Sequence, residues 1–122
     1  MALVLVVDDE PDIFELMKMQ FERVGFECQW AGSAEQAHKL VQSERYDAIV
    51  SDINMPGLNG VDLFHALKRD NRLVSPFIFM TGFNKADYTF LLEMGVDQIF
   101  DKPGNLPALV DYVQQFLANR VI

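Results

Sequence analysis

The chain has 122 residues and a formal net charge of −8, with 50% hydrophobic and 23% charged residues. Such a chain is expected to fold as one packed domain, residues 1–122, and its acidity argues against nucleic acid or an anionic membrane as partner while suiting a site that attracts cations. A single cysteine, Cys28, excludes an internal disulfide, and the apolar run 2–7 is too short to span a bilayer and has no basic flank, so a cytoplasmic protein is expected.

The first element is the branched-aliphatic run 3–7, the pattern of a strand buried on both faces. Asp8-Asp9-Glu10-Pro11-Asp12 ends it. A helix follows, with Ile13, Leu16, Met17, Phe21 and Val24 at helical spacing, Pro11 in its first turn and Gly25 at its end. Residues 26–30 read as a second strand. Ser33 caps a helix over about 34–42 that turns Ala37, Leu40 and Val41 inward. Residues 48–51 form a third strand, which delivers Asp52 where the run ends, and Asn54, Pro56, Gly57 and Gly60 force a turn. A helix over about 61–69 buries Leu63, Phe64 and Leu67. Strand four is 77–80, ending in Thr81-Gly82. Asn84 caps a helix carrying Ala86, Phe90, Leu91 and Met94, closed by Gly95. Strand five is 98–100, ending near Asp101-Lys102-Pro103, and Leu106, Leu109, Val110, Val113, Phe116 and Leu117 make an amphipathic last helix.

Strand and helix alternate five times, which predicts an α/β fold with a parallel sheet and helices on both faces. Strand ends then cluster along one edge, where ligands of open α/β sheets bind. Asp8, Asp9, Asp52, Thr81 and Lys102 all fall at such ends. Crowded carboxylates repel: two unit charges 4 Å apart cost about 4 kcal/mol at an effective dielectric of about 20. A hard oxygen-seeking cation such as Mg²⁺ relieves this, and no His or Cys cluster suggests zinc. Beside a metal, a carboxylate can attack phosphorus, with Lys102 as counter-charge and Thr81 as neutral donor.

Together, Val6-Val7-Asp8-Asp9-Glu10-Pro11, Asp52-Ile53-Asn54-Met55-Pro56-Gly57 with Gly60, Met80-Thr81-Gly82 and Asp101-Lys102-Pro103 resemble the receiver domain of two-component response regulators over nearly the whole chain. The resemblance implies a flavodoxin-like, doubly wound fold with five parallel strands in the order 2-1-3-4-5. It implies that Asp52 accepts a phosphoryl group from a histidine kinase or histidine phosphotransfer protein. Asp9 and Asp52 would bind Mg²⁺ directly, Asn54 through its backbone carbonyl and Asp8 through water. Lys102 would pair with Asp52 and then with the phosphoryl group, and Thr81 would carry the signal. The domain would catalyse only its own phosphorylation and dephosphorylation.

The family's usual contact face, made by the fourth helix, fifth strand and fifth helix, would run here from Asn84 to Arg120. It would meet a downstream protein, in a monomer or a weak homodimer. Two positions depart from the family pattern. Ile99 stands where the family usually has Tyr or Phe, three residues before the lysine, and Gly104 stands where Phe is common. Switching is therefore expected to run through Thr81 with Phe83 or the start of the fourth helix. Phe83 is expected to shield the acyl phosphate from water. The competing readings are a metal-dependent phosphohydrolase with an aspartyl-phosphate intermediate and a docking module that no longer takes phosphate. Adjacent acids rather than Asp-x-Asp, and no room for a cap domain, weigh against the first; retention of acids, threonine and lysine weighs against the second.

Taken singly, each residue has a plainer reading. Asp8-Asp9 could be a solvated turn at a helix start, Asp52 a turn former, Lys102 a surface lysine and Thr81 a strand-end cap. His38 and His65 read as surface positions, and Trp30 as strand, core or helix packing.

Overall fold

The computed structural model describes residues 2–82, 88–101 and 105–120, and of Tyr88 the backbone alone. In chain order its elements are β1 (Leu3–Val7), α1 (Pro11–Glu22), β2 (Glu27–Ala31), α2 (Ala34–Ser43), β3 (Ala48–Asp52), α3 (Gly60–Arg69), β4 (Phe77–Thr81), α4 (Tyr88–Glu93), β5 (Gln98–Asp101) and α5 (Leu106–Asn119). The five strands are parallel and lie in the order β2-β1-β3-β4-β5. The alternation of elements and the 2-1-3-4-5 order are as expected from the sequence.

The unbroken apolar strands are explained by cover on both faces. Side chains alternate across the sheet, so Leu5, Val7, Ile49, Phe77, Phe79 and Ile99 join one core cluster, with α2, α3 and Leu91 of α4. Val4, Val6, Val50, Ile78 and Met80 join the other, with α1 and α5. Phe21, Phe64, Phe77 and Phe79 are fully buried, each contributing about 1.5–3 kcal/mol by transfer from water.

Helix ends follow local chemistry. The Ser33 hydroxyl accepts the Gln36 N–H at 3.1 Å, as the sequence predicts for α2. Asn59 and Asp62 form a reciprocal capping box at the start of α3. Gly25, at φ +86°, ends α1, and Phe26 N–H reaches back to the Phe21 carbonyl.

That bond commits Phe26 to the helix end. It shifts β2 one residue later than the expected 26–30. Strands three to five each run one residue further than expected, so Asp52, Thr81 and Asp101 lie inside the ladder. Leu16, at helical spacing with the others, is 46% exposed, because Ile13, Met17 and Phe21 form the i, i+4 stripe of α1 and Leu16 lies about 100° from its middle. Phe90 is 65% exposed, and Leu91 carries the burial of α4. The expected cap Asn84 and Ala86 lie outside the described residues. Among the described residues no helix is long and apolar enough to cross a membrane.

Candidate functional site

Parallel register builds the site. Val7 of β1 pairs with both Ala31 of β2 and Ser51 of β3. Asp8 and Asp52 are therefore each the next residue along adjacent central strands. Asp52 in turn pairs with Met80 of β4, one residue before Thr81, and Thr81 pairs with Asp101 of β5. Asp8, Asp52 and Thr81 are all buried, at 1%, 7% and 0% exposure, a depth unusual for the two acids.

The turn after β1 gathers charge. Carboxylate oxygens of Asp8, Asp9 and Glu10 lie within 4.8 Å of one another, with Asp9 and Glu10 exposed. Asp8 is fixed by its surroundings. Its N–H donates to the Ala31 carbonyl at 3.1 Å, its Oδ1 accepts the Glu10 N–H at 2.9 Å, and its carbonyl accepts the Trp30 indole N–H at 2.8 Å. Asp52 Oδ1 accepts the Asn54 N–H at 3.3 Å, and the Ser51 hydroxyl donates to the Asp52 carbonyl at 2.9 Å.

Gly60 lets the loop after β3 close beneath the acid. Its N–H donates to the Ile53 carbonyl at 2.9 Å. A Cβ there would stand 2.3 Å from the Asp52 carbonyl oxygen and 3.0 Å from the Phe79 ring. Only glycine fits that approach.

The donor set suits a hard divalent cation. All three clustered side chains offer oxygen, and crowded like charges are relieved by a cation rather than by one another. Asp8 and Asp9 from the expected ligand set belong to the cluster. Asp52 and the Asn54 backbone come from the adjacent strand and its loop.

Lys102 and Phe83 lie outside the described residues, as do Pro103 and Gly104. Ile99 is buried in the cluster that holds Phe79, Leu91 and Val96. Cys28 takes no part: burial first, and Glu22 second, push its thiol up to about 12.

Three residues do more at the site than the sequence assigns to them. Glu10 was visible in the Asp8-Asp9-Glu10 run itself. Gly60 was quoted in the motif, but its clash distance is a tertiary fact. Trp30 touches Asp8 only because β2 lies beside β1, which no local pattern reveals.

The family model described as the response regulator receiver domain matches residues 4–114. The chain belongs to that family. It is 36% identical over 102 residues to the phosphate regulon transcriptional regulatory protein PhoB of Pseudomonas aeruginosa, covering 82% of this chain and 44% of that one. It is 33% identical over 118 residues to the response regulator SaeR of Staphylococcus aureus, covering 96% of this chain and 51% of that one. This receiver domain thus spans about half the length of the curated relatives it matches.

Among solved structures, the receiver domain of the Francisella response regulator 1452 superposes with a TM-score of 0.91 at 28% identity, over 99% of this chain and 100% of that one. TrrA of Thermotoga maritima, solved in complex with Mg²⁺ and BeF, gives 0.83 at 30% identity, over 94% and 98%. The chain is a receiver domain of two-component response regulators, built for signalling.

Proposed function

We propose that Asp52 is the phosphoryl acceptor of this receiver, taking the group from a histidine kinase or a histidine phosphotransfer protein. The observation that carries the reading is the position of Asp52. It is a buried carboxylate at the carboxyl edge of a central strand, between the strand leading into the acid turn and the strand bearing Thr81. In the reaction a bond forms from an Asp52 oxygen to phosphorus as the bond from phosphorus to the donor's imidazole nitrogen breaks. Asp9, Asp52 and the Asn54 carbonyl would hold Mg²⁺, with Asp8 reaching it through water. When bound, the ion supplies positive charge against the phosphoryl oxygens. The Asn54 N–H bond turns the Asp52 carboxylate and limits its rotation. Lys102 would balance charge on the transferred group, and the Thr81 hydroxyl would donate to one of its oxygens.

Signal would leave through Thr81 toward Phe83 and the start of α4, since Ile99 has no ring to swing and already lies in the core. The α4-β5-α5 face would meet the downstream protein or a second copy. A cavity of about 540 Å³ between β5 and α5, lined by Phe100, Tyr112 and Phe116, supports that choice of face. Amide exchange of α4 with and without a beryllofluoride mimic tests the route; no difference ends it.

The primary test is intact mass after incubation with Mg²⁺ and acetyl phosphate. A single phosphate adduct on the wild-type chain that is lost in Asp52→Asn supports the reading. An unmodified wild-type chain overturns it and leaves a docking module.

A further inference from the structure

We propose that Trp30 is a positioning residue for the acid turn: its indole N–H clamps the Asp8 carbonyl and so holds Asp8 and Asp9 in the arrangement that takes Mg²⁺. The proposal rests on the reading of that turn as a Mg²⁺ site. Asp8 makes two of its bonds to β2, through Ala31 and Trp30, which pair with Val7 and Val6. The indole bond, at 2.8 Å, is the shorter of the two. The ring itself is seated. It stacks on Phe14 of α1 with centroids 5.9 Å apart and planes 22° apart. It also lies against Gly32, where an added Cβ would be 3.5 Å from Trp30 Cζ2. This seating gives the N–H a fixed direction, although 41% of the residue is exposed.

The chemistry of the donor matters. The carboxylates of Asp8, Asp9 and Glu10 lie within 4.8 Å of one another and repel, which favours a donor that holds the backbone of the turn. A lysine in this place would neutralise the acids and compete with the cation. An indole N–H is neutral and donates only, so it fixes the peptide without touching the charge that attracts the metal. The acids are then arranged before the ion arrives, which lowers the ordering cost of binding.

The test is Mg²⁺ titration by calorimetry of the chain, Trp30→Phe and Trp30→His, at about pH 8.5, where imidazole is neutral. Phenylalanine keeps a ring for Phe14 but removes the donor. Histidine shrinks the ring but places Nε2–H at the ring position of the indole N–H. Thermal melts confirm that each variant is folded. Trp30→Phe is expected to bind about three- to tenfold more weakly, the worth of one hydrogen bond, with Trp30→His close to wild type. Packing alone would reverse that order. Trp30 is the sole tryptophan, so its emission should follow the same saturation curve in the wild-type chain. Tight wild-type binding unchanged in Trp30→Phe, or Trp30→His as weak as Trp30→Phe, overturns the role of Trp30 alone. A wild-type chain indifferent to Mg²⁺ overturns the metal reading beneath it.

Discussion

At the amino-terminal edge of the sheet, Asp47 and Asp97 each stand one residue ahead of a strand, β3 and β5, and each is tied to the strand alongside. Asp47 Oδ2 accepts the Leu3 N–H at 2.8 Å, while its own N–H donates to the Leu3 carbonyl at 2.8 Å. Asp97 Oδ2 accepts the Phe77 N–H at 2.8 Å, and its own N–H donates to the Phe77 carbonyl at 3.0 Å. Arg120 completes the first clamp at 2.7 Å and the Ser75 hydroxyl the second at 3.0 Å. At the carboxyl-terminal edge, Asp8, Asp9 and Glu10 bring like charges within 4.8 Å. Donors around an acid make it part of the fold. Asp8 has donors of its own, the Glu10 N–H among them, but it also stands against two further acids, and such crowding costs stability and gains value when a cation arrives.

The largest effect that tests this contrast is all or none. Asp52→Asn should abolish the phosphate adduct while leaving the melting temperature unchanged or higher. A mass measurement and a thermal melt on one preparation decide it, and an unfolded variant would make the carboxyl edge structural after all.

Next in size come two losses of stability, one at each edge. Asp97→Ala strands the Phe77 N–H and should lower stability by about 1–3 kcal/mol, without blocking phosphorylation of the folded fraction. Gly60→Ala forces a Cβ against the Asp52 carbonyl, which is backbone and cannot swing aside. It should cost about 1–3 kcal/mol and also slow phosphorylation, because the strain falls on the Asp52 peptide. Urea unfolding with the acetyl phosphate assay separates the two outcomes. Equal phosphorylation defects in both variants would erase the contrast.

The fold was legible because strand runs and helix stripes are local. The acids at strand ends were legible because a parallel sheet sends all such ends one way. What stayed hidden is what depends on strand neighbours. An apolar residue and an Asp precede both β3 and β5, Tyr46-Asp47 and Val96-Asp97, yet nothing local says that each Asp finds the N–H of Leu3 or Phe77. Trp30 near Asp8 is the same kind of fact. Leu16 shows the opposite case, a residue at helical spacing that the buried stripe passes beside.

Asp47 offers a smaller effect with a pH signature. Burial acts to raise its carboxyl, but the Arg120 bond, the Leu3 N–H and nearby positive charge outweigh burial and hold it below the usual 3.8. A depressed carboxylate contributes stability above its unfolded value, about 3.9, and loses it as pH falls through the lower folded value. Asp47→Asn should therefore cost about 1 kcal/mol at neutral pH, with the gap to wild type closing below about pH 4. A gap that stays constant to acid would remove the ion pair from the account.

The smallest effect is the most direct test of the carboxyl edge, because it predicts a gain. Asp9 is exposed, so its repulsion of Asp8 and Glu10 is partly screened. Without metal, Asp9→Asn should stabilise the chain by about 0.2–1 kcal/mol, the range of exposed charge pairs with the sign reversed. Saturating Mg²⁺ reverses the ranking. A ligand at about 100 times its dissociation constant adds about 2.7 kcal/mol to the protein that binds it, and the variant has lost a carboxylate ligand. Thermal melts of both proteins with EDTA and with Mg²⁺ should therefore cross. Parallel shifts would mean that the three acids are only a solvated turn, no different in kind from any other charged loop.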